Sequence, residues 1–575
     1  MIADDVVPIA RLLLSGAIPH NYERPAEWAE RNIIFAHEKD PIKGAIDLDF
    51  SPHLIDPLNA WELEPGQGLK ELTVVGPQQM GKTLTWLCGL LWSMVFRMSL
   101  SLIYYTSEPK AARVNEEKLE PVMRQIERFR KLLALPNAKT KECYRLGENL
   151  IYFGGVGSRI SSHSARHVIA DELDDWQDAE GTNALSDART RCRAFLESLL
   201  VKVCTPRGTA KSSPIWREFL ASSQGFRFLR CLGCGELTMR SCDISNLKFE
   251  RTESGEVVPG TLRLVCPKCG HAHAESEKAE MNRRGGYRHN RPERLKTHPG
   301  FQFGALASNF PALSWQRIAE AQLKAGRSGI VQDQIDFDNT IRGLPFEPRK
   351  LDDTADAMLK RHTVPPPPES EILYRFLSVD TQDSCFFWVV RGLDAARNTY
   401  LLASGKAETA AELAEAWEAQ YHGGPLTMGI IDEGGHRAAE VREFAETRPG
   451  LFTYKGNPRI GKNWKLSEEI SGLILANPAH YHLQLLYLLY VAMNRGKNFW
   501  FVPPELPADY VAQLTSWKPA PTKDGRELEN YVCPDANDHY YDCEKMLLVL
   551  LDFFFEKVLP LLFAQRMKPQ IVRRP

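Results

Sequence analysis

Gly76-Pro77-Gln78-Gln79-Met80-Gly81-Lys82-Thr83 fills every fixed position of the phosphate-loop pattern GxxxxGK[ST]. The two glycines allow a sharp backbone turn, so that successive amide N–H groups and a helix N-terminus face one anionic site. In such a cradle, shaped by Gly76, Gln79 and Gly81, Lys82 reaches the β- and γ-phosphates of a nucleotide, and Thr83 offers its hydroxyl to Mg2+. Further on, the apolar run of His167-Val168-Ile169-Ala170 ends in Asp171-Glu172. Asp171 is expected to hold Mg2+ through water, and Glu172 to orient or deprotonate the attacking water. An ordinary strand with an acidic loop is the alternative, because Asp174 and Asp175 follow. The phosphate loop upstream favours the chemical reading.

Two more constellations lie downstream. Cys231-Leu232-Gly233-Cys234 is answered by Cys266-Pro267-Lys268-Cys269, and a glycine follows each. Four thiolates at this spacing close a tetrahedral Zn2+ site, structural because no coordination position stays open. His271, His273 and Cys242 are rival ligands by proximity. In the second half, Val379-Asp380, Ile431-Asp432 and the segment around Asp542 each place a carboxylate at the end of an apolar strand or the start of an apolar helix. Three such acids hold two Mg2+ or Mn2+ ions for phosphodiester cleavage, hard cations requiring oxygen ligands. Asp383, Glu433 and Asp538 are the alternates. Thr205, at the tip of an apolar run, is a candidate sensor of the γ-phosphate. Lys455, Arg459, Lys462 and Lys465, with Tyr454 and Trp464, form a basic and aromatic cluster able to follow a phosphate backbone, or a solvated loop.

These residues require an α/β framework. Leu72–Val75 reads as a buried strand into the loop and Leu84–Phe96 as a buried helix out of it. Ser101–Thr106 reads as the next strand, a charged helix follows from Pro109 to about Leu135, and Leu199–Cys204 is a further strand. This rhythm gives a parallel sheet. After Pro365-Pro366-Pro367-Pro368, three strands, a helix from Glu408 to Tyr421, an acid-tipped strand and a late acid-bearing helix follow the order of a ribonuclease-H-like nuclease. The expected division is a lead-in over 1–60, a phosphate-loop domain over 61–362 with a zinc ribbon at about 228–275, a proline linker over 363–370, a nuclease domain over 371–556 and a tail over 557–575. At 575 residues, several domains are required. A net charge of −2 offers no global basic signal, so nucleic-acid contacts must be local. The N-terminal segment lacks a basic leader, no run is long enough to span a membrane, and 12 cysteines, four of them in CxxC pairs, suit a reducing compartment.

The sequence resembles the large terminase subunit of tailed bacteriophages, and is most similar to its lambda-type branch, in which a CxxC/CxxC ribbon separates the two activities. The likeness runs over most of the chain. It is carried by Gly76–Thr83, Val168–Glu172, Cys204-Thr205-Pro206, the cysteine quartet, Phe337-Asp338-Asn339-Thr340-Ile341-Arg342-Gly343-Leu344-Pro345, Val379-Asp380, Asp432-Glu433-Gly434-Gly435-His436-Arg437 and Asp542-Cys543. The resemblance implies an ATP-driven motor that moves double-stranded DNA into a procapsid, and an endonuclease that cuts the concatemer. It further implies a small terminase subunit and a portal protein as partners, several copies assembled on the portal, no membrane, and the cytoplasm of an infected bacterium as the setting. Gln78 and Gln79 stand where many terminases carry a basic residue, leaving Arg166, Arg189 and Arg191 as candidates for the arginine that completes hydrolysis. A helicase-like translocase would need a second motor lobe where this chain has acid-tipped strands. A transposase or integrase would not need the phosphate loop, and a zinc-binding scaffold would leave both acid sets unexplained.

Overall fold

The computed structural model describes residues 22–566 except 36–42, 97–99, 106–112, 114, 141, 157–162, 177–183, 211, 253–254, 329, 348–354, 459, 461–462, 492–497, 520–530 and 535. The chain divides into two compact units, Met1–Leu323 with Ile335–Phe346, and Lys324–Gln334 with Glu347–Pro575.

The first unit is built on a ten-stranded sheet. Its strands are β1 (Gly68–Val75), β2 (Leu100–Tyr105), β3 (Cys143–Leu146), β4 (Asn149–Gly155), β5 (His167–Asp171), β6 (Glu197–Cys204), β7 (Gly225–Arg230) and β8 (Leu237–Arg240), and later β12 (Gly286–His289) and β13 (Gly300–Gln302). Between them, β9 (Leu247–Lys248), β10 (Arg263–Val265) and β11 (Ala272–His273) form a small antiparallel sheet. The main order is β8-β7-β13-β1-β6-β5-β2-β4-β3, and β12 lies off this path, pairing antiparallel with β7. From β7 to β4 all neighbours are parallel. Such strands are covered on both faces and read as unbroken apolar runs, which is why β5 is buried at all five positions. β1 starts four residues before the expected Leu72, because Lys70 and Glu71 interrupt the apolar signal. Lys70 donates to the Glu62 carbonyl at 2.8 Å, and Glu71 is paired with Lys202 and Arg189. Helix α1 (Lys82–Phe96) starts inside the phosphate loop and is buried nearly all round, the pattern of a helix enclosed on every side. Helices α2 (Ala184–Cys192) and α3 (Pro214–Ala221) follow β5 and β6.

The second unit carries an eight-stranded sheet of order β19-β20-β18-β17-β14-β15-β16-β21. Its members are β14 (Tyr374–Thr381), β15 (Phe386–Leu393), β16 (Thr399–Ala407), β17 (Met428–Asp432), β18 (Leu451–Gly456), β19 (Trp464–Leu466), β20 (Leu473–Ala476) and β21 (Trp500–Phe501). The meander β14-β15-β16 is antiparallel, and β17 then pairs parallel to β14. This is the ribonuclease-H-like order expected. Helix α4 (Trp315–Ser328) precedes the meander in the chain. Helix α5 (Ala410–Glu418) follows it, capped by the Thr409 hydroxyl, which accepts from the Glu412 N–H. Helix α6 (Ala438–Glu446) comes after β17, and the late apolar helix α7 spans His539–Phe553. The prolines at 365–368 lie within the second unit, where Val364 N–H donates to the Val502 carbonyl just before them. Arg459, Lys462 and the tail from 567 to 575 fall outside the described residues.

Candidate active sites and a candidate metal centre

The phosphate loop leaves β1 next to β6, and β5 flanks β6 on its far side, with Val75 opposite Cys204 and Asp171 opposite Val203. The strand order therefore brings Gly76–Thr83, Thr205 and Asp171-Glu172 to one edge of the sheet. Gly81 has φ +80°, a left-handed backbone that favours glycine. Lys82 is enclosed and its ammonium donates to the Pro77 carbonyl across the loop. Burial pulls it down to about 8, opposed by Cys204 and Asp171. Trp86, one turn further along α1, donates its indole N–H to Asp171 Oδ2 at 2.9 Å, while the Glu172 N–H donates to Oδ1 at 3.0 Å. The helix that carries Lys82 and Thr83 thus also aims the Asp171 carboxylate. At Glu172 the chain turns off the strand with φ +54°.

Three further contacts frame the loop; the sequence names Asn339 and Gly343 within the Phe337–Pro345 stretch without giving them a role, and carries no signal for His53 or Gln302. His53, buried and lowered to about 4 by that burial, lies with Nε2 3.0 Å from the Met80 carbonyl of the loop. Asn339 accepts from the Gly208 N–H at 3.0 Å and donates back to the Gly208 and Leu344 carbonyls. Gly343, at φ +64°, lies against the first residues of the loop, and Gln302 donates to its carbonyl and to that of Arg342. The Phe337–Pro345 motif is therefore a clasp on the loop and on the turn beyond Thr205. Arg189 is unsuited to completing hydrolysis, because its guanidinium is bidentate to Glu71 at 2.9 and 3.0 Å and also meets Glu218 at 2.6 Å.

In the second unit, Val379 and Ile431 are paired across parallel β14 and β17. The next residues, Asp380 and Asp432, are consequently neighbours at the carboxyl ends of adjacent strands. Helix α7 reaches them at its N-terminus, where His539 Nδ1 lies 3.0 Å from Asp380 Oδ2, and it presents Asp542 in its first turn. Burial raises Asp380, with Asp542 adding to the effect and His539 opposing it. Asp432 is pushed up to about 6 by burial and then by Asp380 and Asp542. The three carboxylates feel one another, as shared negative potential requires. Among the described residues they do not close to within 4.8 Å as a trio. Lys545 donates to Asp542 Oδ1 at 2.6 Å and Gln382 to Asp380 Oδ2 at 2.7 Å, so these oxygens already have partners. Two of the alternates have partners of their own, although Asp538, just before α7, is raised by burial and by Asp542. Glu433 is bidentate to Arg442 at 2.8 and 2.9 Å, and Asp538 accepts from the Trp517 indole at 2.9 Å. His539 and Lys545 were absent from the sequence reading, since a lone cation in an apolar helix carries no local pattern.

The four ribbon sulfurs lie within 4.8 Å of one another, with Cys231–Cys269 at 3.6 Å and Cys234–Cys266 at 4.0 Å. Tetrahedral bonds of about 2.3 Å require S–S separations of roughly 3.8 Å, so the quartet fits zinc. Burial opposes ionisation of Cys266, but the Thr238 hydroxyl at 3.1 Å and the N–H groups of Cys269 and Lys268 outweigh it and bring the thiol down to about 6. His273 stands outside the quartet with Nε2 3.3 Å from Cys231 Sγ. Cys242 belongs to no such cluster among the described residues.

Comparison with known proteins bears on both halves. Residues 41–287 match the family model for the phage terminase large subunit gpA, ATPase domain, and residues 298–557 match that for the terminase large subunit gpA, endonuclease domain. No curated protein matches by sequence. Among solved structures, the large terminase of a thermophilic bacteriophage is 13% identical over 86% of this chain and 97% of its own, with a TM-score of 0.39. The HK97 bacteriophage large terminase is 14% identical over 91% and 98%, with a TM-score of 0.34. The nuclease domain of the bacteriophage SPP1 large terminase, with bound Mn, is 10% identical over 31% and 86%, with a TM-score of 0.20. These structural likenesses are distant, and the assignment rests on two family models that divide nearly the whole chain between them. The chain belongs to the phage terminase large-subunit family, whose members hydrolyse ATP to package DNA and cut it with a metal-dependent endonuclease.

Proposed function

We propose that residues 61–362 bind and hydrolyse ATP at Gly76, Gln79, Gly81, Lys82, Thr83, Asp171 and Glu172, and that residues 371–556 cut duplex DNA at Asp380, Asp432 and Asp542. The observation that supports the reading is the register of β14 and β17, which makes buried Asp380 and half-buried Asp432 neighbours at the point where α7 begins. The donor set suits Mg2+ or Mn2+: all three ligands are oxygens, and the raised proton affinity of Asp432 marks a negative potential that a divalent cation would relieve. When bound, such ions supply Lewis acidity and an activated water for phosphodiester cleavage. The protein's own part is to hold the carboxylates: His539 and Gln382 fix Asp380, Lys545 fixes Asp542, and the Thr381 hydroxyl donates to the Asp432 carbonyl at 2.7 Å.

In the motor, Lys82 would bind the β- and γ-phosphates and Thr83 the Mg2+ of the nucleotide. Asp171, steered by Trp86, would face that ion, and Glu172 would take the proton of the attacking water. Cys231, Cys234, Cys266 and Cys269 would hold one structural Zn2+ within about 228–275. The working partners are double-stranded DNA, a small terminase subunit and the portal protein of a procapsid, with several copies acting together in the cytoplasm of the infected host.

The test separates the activities. Lys82→Ala should abolish ATP hydrolysis and leave Mn2+-dependent plasmid cutting intact. Asp380→Ala and Asp432→Ala should do the reverse. Full cutting by either aspartate variant would refute the acid site, and ATP hydrolysis by Lys82→Ala would refute the phosphate loop.

A further inference from the structure

The outer strand of the first sheet stands in a concentration of positive charge that the two active sites do not use. From 283 to 296 the chain has six cations, Arg283, Arg284, Arg288, Arg291, Arg294 and Lys296, against the single acid Glu293. That is a local excess of five positive charges in a protein whose formal net charge is −2. Strand β12 pairs with β7 on one side and, among the described residues, with no strand on the other. The side chains of Arg283, Arg284, Arg288 and Lys296 are 51 to 77% exposed, and Arg294 is exposed as well.

The arrangement is held in place from beneath. The Arg288 guanidinium lies 5.5 Å over the Phe228 ring of β7, and Arg240 on β8 lies 4.0 Å over Phe226. Arg230 donates to the Arg284 carbonyl at 2.8 Å and to the Gly235 carbonyl at 2.5 Å, tying the start of this stretch to the first cysteine knuckle. The acids that meet these cations, Asp49, Glu280, Glu236, Glu293 and Glu64, form ion pairs at the surface. Such pairs contribute little in water and yield readily to a phosphate oxygen. Cations are also used to keep edge strands from pairing. That role accounts for Arg288, but the other five lie outside the strand, where no strand ladder needs protecting: Arg283 ends the short helix Lys278–Arg283, Arg284 follows it, and Arg291, Arg294 and Lys296 lie in and around the helical turn Pro292–Arg294.

We propose that residues 283–296 form a sequence-independent docking surface for the sugar-phosphate backbone of duplex DNA. The inference rests on the DNA-packaging reading and adds to it a place on the motor unit where the duplex is touched. Neither phosphate-loop chemistry nor nuclease chemistry needs these residues, and a run of six cations to one acid along the chain, its ion pairs all at the surface, is the signature of a backbone contact.

The test measures binding of the purified full chain to a random-sequence duplex, without added divalent ions, from about 50 to 200 mM salt. Replacing Arg284→Gln, Arg288→Gln and Arg294→Gln together should lower the slope of log K against log salt by about 2 to 3, since each phosphate contact contributes about 0.9. The corresponding triple change to lysine should keep the wild-type slope, and wild-type zinc content would show that both proteins are folded. Should the triple glutamine protein not fold, Arg294→Gln with Lys296→Gln should lower the slope by about 2. An unchanged slope in the glutamine variants overturns the surface, as does an equal loss in the lysine variant. A wild-type protein with no affinity for duplex overturns the DNA reading itself.

Discussion

A methyl group added at Gly343 would strike the phosphate loop from behind. Its Cβ would sit 2.8 Å from the Phe303 carbonyl oxygen, 2.8 Å from Pro77 Cδ and 2.9 Å from Gly76 Cα. Two of the three are backbone atoms and the third is a proline ring, so none can swing aside as a flexible side chain would. At φ +64° the left-handed backbone costs an alanine about 1–2 kcal/mol. Overpacking adds about 1–3 kcal/mol, giving a destabilisation of about 2–5 kcal/mol in the first unit. In a unit of this size that corresponds to roughly 3–7 °C in the unfolding midpoint. Because the displaced atoms are the first two residues of the loop, ATP hydrolysis should weaken beyond what the loss of stability explains. Gly326→Ala is the paired control: this glycine lies inside α4 with nothing within 4 Å of the added carbon. There the same substitution should stabilise by about 0.5–1 kcal/mol. Calorimetry and steady-state ATP hydrolysis read both variants. A Gly343→Ala protein as stable and as active as wild type would refute the reasoning.

Other outcomes follow from buried charge and from the ribbon. Arg391 and Glu544 are both wholly buried and joined at 2.7 Å, with Tyr510 donating to the other carboxylate oxygen. Arg391→Leu should cost about 3–5 kcal/mol by leaving Glu544 unpaired. The added change Glu544→Leu should restore part of that, as read by thermal unfolding followed through nuclease activity. Metal analysis should find about one zinc per chain, and Cys266→Ser should lose it together with thermal stability; a folded protein free of zinc would count against the quartet. Burial alone would raise Glu71, but Arg189 and Lys202 outweigh it and hold the carboxyl at about 2. A depressed carboxyl stabilises above its unfolded value and loses that contribution as pH falls through the folded one. The first unit should therefore weaken between about pH 4.5 and 2 by up to about 3 kcal/mol. In Glu71→Gln that acid-dependent part should be missing from the unfolding curve.

What the sequence made legible was whatever depends on neighbours in the chain. The phosphate loop, the Asp171-Glu172 strand end, the cysteine knuckles and the order of the nuclease elements are local patterns, and each forms the element expected of it. What stayed illegible depends on register and on contacts between distant segments. Lys70 and Glu71 read as a break in an apolar run, yet β1 passes through them because their partners come from residues 62, 189 and 202. Asp383, Glu433 and Asp538 could not be separated from Asp380, Asp432 and Asp542 by spacing. Nor does spacing show that Glu433 meets Arg442 or that Asp538 accepts from Trp517. Arg189 read as a candidate for hydrolysis because the sequence does not show that Glu71 and Glu218 meet it.

Helix α7 has a consequence for how cutting is lost. The segment that would offer Asp542 to the proposed acid site is also an apolar helix buried at most positions from Tyr540 through Phe553 and pinned at Glu544. Among the described residues the proposed third carboxylate sits on this packed helix, so the scissors would share its rigidity. As a sample is warmed, cleavage should persist unblunted until the whole lobe gives way, and the two should vanish at one temperature.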